Sequence, residues 1–187
     1  MSKFIKIGLL LISVMLLGLF LTASMQPETY EIERSTSVSA PAETIYATLA
    51  DLEKFNSWSP WAKLDPNLQK TVSGEPGTLG ATYTWQGNDD VGSGRMTITA
   101  VQPNKRIDLK LEFLSPFTAT SETAWEVNGD VDPTLVTWRY KGNNDGFVAK
   151  VMYLFIDMDQ MLGADFEKGL LTLKELVEES HRQATSG

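Results

Sequence analysis

Asp157, Asp159, Asp165 and Glu167 are the residues most suggestive of acid–base chemistry, since paired carboxylates with separated pKa values can act as acid and base. Their spacing argues otherwise. Asp157 and Asp165 are two helical turns apart, as are Asp159 and Glu167, about 12 Å along a helix and too far for a tight dyad. Helix capping and solvated faces account for all four. Ser121 and Thr123 share one face of a strand with Trp125. With no base beside them, these hydroxyls suit hydrogen bonding to a ligand better than nucleophilic attack. The chain has no cysteine and one histidine, His181, near its C-terminal end. Disulfides, thiolate sites, Ser-His-Asp triads and multi-histidine metal sites are thereby excluded. His181 fits a solvent-facing position in the last helical turn, where a cation suits the helix dipole. Gly87 to Gly94 carries Asp89 and Asp90 without the ligand spacing of a calcium loop, and reads as a hairpin turn. No catalytic residue, metal or cofactor is expected.

The other notable chemistry is aromatic: Trp58, Trp61, Tyr83, Trp85, Phe113, Trp125, Trp138 and Tyr140. For each residue singly, core packing is the simpler account. Taken together, the sheet face and a helix stripe point at one volume, and apolar ligands prefer such walls. The expected lining is Tyr83, Trp85, Met96, Leu111, Ser121, Thr123, Trp125, Trp138, Met161 and Phe166.

These residues need elements to hold them. Tyr30, Ile32, Arg34, Thr36 and Val38 alternate with mainly polar residues, as in a strand with one buried face. Pro41 suits the first position of a helix, and Ile45, Leu49 and Leu52 follow at helical spacing. Phe55, Trp58 and Trp61 come next, with Pro60 as a helix breaker and Asp65-Pro66-Asn67 as a turn. From about Gln69 to Lys141 the pattern is all strand. Tyr83 and Trp85, Met96, Ile98 and Ala100, Ile107 through Phe113, Thr123 through Val127, and Val136 through Tyr140 each alternate with polar neighbours. Turn signals at 87–90, 103–104, 115–116, 129–130 and 142–144 separate them. Glu126 and Arg139 face outward as a surface pair. Leu162, Phe166, Leu170, Leu173 and Val177 form one apolar stripe of a long helix. Met152, Leu154, Phe155, Met158 and Met161 precede it in a further helical turn. The expected fold is α+β: a curved antiparallel sheet of about seven strands wrapped around a long C-terminal helix, with two short helices after the first strand.

Composition sets the outer bounds. Of 187 residues, 42% are hydrophobic and 21% charged, a globular balance. The formal net charge of −8 gives no general attraction for nucleic acid, and no basic patch offsets it. Lys3 and Lys6 precede an apolar run from Ile7 to Leu21, and no charge intervenes before Glu28. That stretch can span the hydrocarbon core. With the basic side N-terminal, the positive-inside rule expects a cytoplasmic N-terminus and an extracytoplasmic domain on a single-pass anchor. A cleaved signal peptide is the rival, with small residues at Thr22-Ala23-Ser24. The run is longer than an ordinary signal core, and the absence of cysteine rules out a lipoprotein anchor. Residues 1–25 are therefore expected to be the anchor and 26–187 the cavity domain.

The element order and several short motifs together resemble the START and polyketide cyclase/dehydrase superfamily, also called SRPBCC or helix-grip. The motifs are Ser39-Ala40-Pro41-Ala42-Glu43, Trp58-Ser59-Pro60-Trp61, Trp85-Gln86-Gly87, and Met158-Asp159 with Asp165 to Leu170. The resemblance covers about Glu31 to Glu179. It implies a hydrophobic cavity between sheet and helix for lipids, sterols, polyketides or other apolar molecules. It does not choose among carrier, enzyme and pure binding module. The polar cavity residues on which the cyclases depend are not identifiable in this sequence. The leading expectation is a membrane-tethered binding module for an apolar molecule or lipid. A cyclase- or hydratase-like enzyme, and an interaction domain with a filled core, are the alternatives.

Overall fold

The computed structural model describes residues 3–129, 133–144 and 146–186. The turn expected at Gly129-Asp130 lies partly outside them. The chain divides into two compact units, Met1–Tyr30 with Asn143–Met158, and Glu31–Gly142 with Asp159–Gly187.

The smaller unit is built on α1 (Lys3–Ser24), a 22-residue apolar helix whose side chains are almost all exposed. It is the one helix among the described residues long and apolar enough to cross a membrane. A seven-residue helix, α4 (Phe147–Tyr153), packs against it. Phe20 and Phe147 meet with ring centroids 5.3 Å apart.

The larger unit carries the sheet. Its strands are β1 (Thr29–Val38), β2 (Gln69–Ser73), β3 (Thr82–Gln86), β4 (Ser93–Gln102), β5 (Arg106–Ser115), β6 (Ala119–Asn128) and β7 (Thr134–Asn143). They are ordered β1-β7-β6-β5-β4-β3-β2, a meander closed at one edge by the first strand. Two short helices, α2 (Ala42–Ala50) and α3 (Phe55–Trp58), follow β1, joined by a 3-10 turn over Leu52–Lys54. The seventh strand runs through Asn143, past the glycine at which a turn was expected.

Strand alternation holds along most of the sheet, because one face is buried and period 2 then fixes which residues point inward. It is interrupted between β4 and β5, where the register shifts at Ser93/Gly94 and again at Ile98/Ala100. Register steps from Ile98 opposite Leu109 to Ala100 opposite Asp108, so Thr99 is an extra residue and a β-bulge forms. Ala100, expected on the inner face, is exposed in consequence. Val101 takes its place opposite the buried Ile107. Such a bulge bends the strand and adds to sheet curvature.

The covering helix, α5 (Met158–Ser186), is longer at both ends than its apolar stripe. Phe166, Leu170, Leu173 and Val177 are buried, as the spacing requires. Polar bonds to the β1 side fix its position. Lys174 Nζ donates to the Ser37 carbonyl at 2.5 Å, and Ser39 N–H donates to Glu178 Oε1 at 2.8 Å. That backbone bond is the main reason Glu178 sits below the usual carboxylate range. On the outer face, Arg139 Nε bonds Glu126 Oε1 at 3.1 Å, and Arg106 joins the same carboxylate. The pair is diagonal, since Arg139 lies opposite Ala124.

Candidate functional site

The inner face of the sheet, α3 with the loop after it, and α5 enclose a cavity of about 210 Å³. Strands β3 to β7 supply Tyr83, Trp85, Met96, Leu111, Phe113, Thr123, Trp138 and Tyr140 to its wall. The helix contributes Leu162 and Phe166, and the α3 region Phe55, Asn56, Trp61 and Leu68. Asp90 and Val91 reach it from the β3–β4 hairpin, and the Asp90 side chain is exposed.

Trp85 owes its position to a glycine. An added Cβ on Gly94 would lie 2.4 Å from two Trp85 ring atoms and 2.5 Å from the Glu112 carbonyl oxygen. Without a side chain there, the indole occupies the space that a Cβ on Gly94 would take. Its Nε1 donates to the Val91 carbonyl at 3.3 Å, and its ring meets Phe113 edge-on at 6.0 Å. Trp138 is the hub of the aromatic wall. It stacks on Phe166 at 4.4 Å with a 6° interplanar angle and meets Trp58, Trp61 and Trp125 edge-on. Two of these rings carry a cost: the indole N–H groups of Trp58 and Trp125 are buried without a hydrogen-bond acceptor.

The polar atoms of the wall are largely committed to one another. Trp138 Nε1 donates to Thr123 Oγ1 at 2.9 Å, and that hydroxyl donates in turn to the Arg139 carbonyl at 2.7 Å. Thr123, expected to orient a ligand, thus orients Trp138. Ser121 Oγ and the Tyr140 hydroxyl share a 2.8 Å bond. Tyr83 OH donates to Asn56 Oδ1 at 2.6 Å. Burial pushes the Tyr83 phenol up to about 12, so it is a neutral donor near pH 7.

Seven of the ten residues expected to line a pocket stand in this wall: Tyr83, Trp85, Met96, Leu111, Thr123, Trp138 and Phe166. The other three do not. Ser121 is turned to Tyr140, and Trp125 sits behind the wall against Phe55 and Trp58. Met161 is 51% exposed, because one residue along a helix rotates a side chain by about 100° and Leu162 takes the inward position. Asn56, Ser59, Ala62, Leu68 and Val91 were not anticipated. They come from loops and a four-residue helix, where no periodicity marks an inward face.

The carboxylates on α5 also find a role that spacing alone did not show. Arg34, on the inner side of β1, reaches the helix between them. Its Nη1 and Nη2 donate to Asp159 Oδ1 and Oδ2 at 3.0 and 2.9 Å, and its Nε to Glu167 Oε1 at 2.8 Å. Gly163 lies four residues from each, and a Cβ there would fall 2.1 Å from Arg34 Nη2. The pattern Asp-x3-Gly-x3-Glu is therefore a docking groove for one arginine. Asp165 pairs with Lys168 at 3.0 Å. Among the described residues, no three His, Asp or Glu side chains gather to hold a metal ion.

The hydrogen bonds from Arg34 hold the Asp159 carboxyl below its ordinary value. A depressed folded-state pKa contributes stability above the unfolded value, lost as pH falls through the folded one. Arg34→Gln should therefore lower the urea midpoint at pH 7 and show a narrower gap from wild type below about pH 4. Both carboxylates are well exposed, so the expected gap is small. A gap that stays constant with pH would mean Arg34 acts only by packing.

A family model described as polyketide cyclase / dehydrase and lipid transport matches residues 29–178. No curated protein matches the chain. Solved structures that share its fold include the following three. Protein CV1439 from Chromobacterium violaceum is 16% identical, with 82% of this chain and 99% of that one covered at a TM-score of 0.56. Major latex-like protein 151 from Panax ginseng is 13% identical, covering 83% and 99% at 0.55. The di-domain ARO/CYC StfQ of the steffimycin biosynthetic pathway is 13% identical, covering 81% and 51% at 0.56.

Proposed function

The chain belongs to the polyketide cyclase / dehydrase and lipid transport family, and on that premise we propose that it binds an apolar small molecule non-catalytically in the cavity between sheet and α5. The observation that carries this reading is the wall itself: aromatic and aliphatic side chains around about 210 Å³, with the polar atoms mostly spent on one another. Volume limits the ligand. A cavity of about 150 Å³ accepts benzene, and drug-sized molecules occupy roughly 300–1,000 Å³. A ligand of one or two fused rings, or a short acyl chain, fits without expansion. The Tyr83–Asn56 pair is the polar feature of the wall suited to orienting a hydroxyl or carbonyl on it. The Tyr83 phenol, held neutral near pH 7 by burial, would serve there as a hydrogen-bond donor.

The second part of the proposal concerns place. We read α1 as a single-pass membrane anchor. Lys3 and Lys6 in its first turn, and Glu28, Glu31 and Glu33 after it, favour a cytoplasmic N-terminus and a cavity held on the other side.

A naphthalene-type fluorescent probe tests the binding reading. Titration is expected to quench tryptophan emission with saturation. Leu111→Trp, which fills part of the cavity, should weaken binding about tenfold, a difference of roughly 1.4 kcal/mol. Native mass spectrometry should show a small co-purifying molecule. Absence of saturable probe binding, with a bare protein mass, would defeat the reading. Turnover of a polyketide-like substrate would move it to the enzyme class.

A further inference from the structure

We infer that the segment Phe147–Ile156 is a second membrane contact, lying in the interfacial layer of the leaflet from which α1 emerges. The inference rests on the reading of α1 as a membrane span, and the observations that carry it all belong to the smaller compact unit.

The first observation is depth. Phe147 packs on Phe20, and Phe20 is four residues short of the end of α1. At 1.5 Å per residue, Phe147 is then held about 6 Å inside the helix end. Interfacial helices bury their apolar face roughly 5–10 Å into the boundary of headgroups and acyl chains. A segment pinned to α1 at that level cannot face bulk water if α1 spans.

The second observation is the surface. Within ten residues, Phe147 is 47% exposed, Met152 49%, Phe155 77% and Ile156 37%. Lys150 is the only charged residue among them, and its sign suits anionic headgroups. A helix of seven residues with such a surface is marginal in water. Its backbone is nonetheless satisfied past its end, since Phe155 N–H and Ile156 N–H both donate to the Met152 carbonyl at 3.0 Å. That is what a low-dielectric layer requires.

The third observation is a tyrosine pair at the end of α4. Tyr30 and Tyr153 pack at 5.4 Å, and tyrosines concentrate where one end of the ring is apolar and the other wet. Asn144 fastens the segment to the chain leaving α1, its N–H donating to the Glu28 carbonyl at 2.7 Å and its Nδ2 to the Pro27 carbonyl at 3.2 Å.

The chain has no cysteine, so single labels are straightforward in the full-length protein. Ile12→Cys and Phe155→Cys would each carry an environment-sensitive fluorophore, in vesicles of phosphatidylcholine and phosphatidylglycerol. Nitroxide lipids would quench either at mid-chain or near the headgroup. The label at 12 should be quenched by the mid-chain lipid. The label at 155 should be blue-shifted and lose about half its emission to the headgroup-proximal lipid. Quenching at 12 with water-like emission at 155 would overturn this inference and leave the anchor standing. A blue-shifted label at 155 that no lipid quenches would show a protein cover, such as a second copy, and also overturn it. No quenching at 12, or loss of that label by cleavage, would remove both readings.

Discussion

Trp138→Ala is expected to lower stability by about 3–5 kcal/mol, the range for truncating a large buried aromatic. Trp138 is 3% exposed and touches the helix, α3 and its neighbouring strand through ring contacts. Its removal takes away the stacked partner of Phe166 and opens a hole on three sides, so no single element can relax into it. It also leaves Thr123 Oγ1 without the indole donor. Against a typical total of roughly 5–15 kcal/mol, such a loss brings the larger unit close to unfolding. The check is the urea midpoint, with the slope m compared between variants. Trp138→Phe keeps an aromatic ring against Phe166 and should cost less than half as much. A loss under about 1 kcal/mol for the alanine variant would show that the wall repacks without this ring.

Gly94→Ala should cost binding and stability together. The added methyl meets the Trp85 indole at 2.4 Å and the Glu112 carbonyl oxygen at 2.5 Å, closer than atoms can approach. The oxygen belongs to the paired strand, so relief means either displacing Trp85 or parting β4 from β5. Overpacking of this kind costs about 1–3 kcal/mol. A displaced Trp85 loses its bond to the Val91 carbonyl and changes the cavity wall, so naphthalene-probe affinity should fall by about tenfold or more. Urea midpoint and probe titration are read on the same sample. Unchanged values for both would mean that the strand yields at no cost and that Gly94 does not position the ring. Reduced stability with unchanged affinity would place Trp85 outside the binding surface.

How far the residues alone could lead differs between strand, helix and loop. Period 2 on β3, β5, β6 and β7 and the stripe from Leu162 to Val177 put most inward side chains on the right face before any coordinates. A half-buried element repeats its signal every few residues, so the signal survives local noise. Ala100 broke the pattern because a bulge shifts phase without any mark in composition. Met161 lies one helical step off that stripe, and the docked helix turns the stripe inward, so Leu162 and not Met161 reaches the cavity.

By itself, then, the order of residues determined the α+β class, the sheet face that is buried, the apolar N-terminal helix, and the exclusion of cysteine chemistry. These depend on local periodicity and on residue type, and both are present in any stretch of chain. Tertiary structure decided the rest. It turned two separated carboxylates and a glycine into a groove for Arg34, spent Thr123 on Trp138, and brought Asn56 to Tyr83 across 27 positions of sequence. Each is a meeting of groups far apart in the chain. Its energy comes from one specific geometry, and no period in the sequence encodes where two such groups will meet.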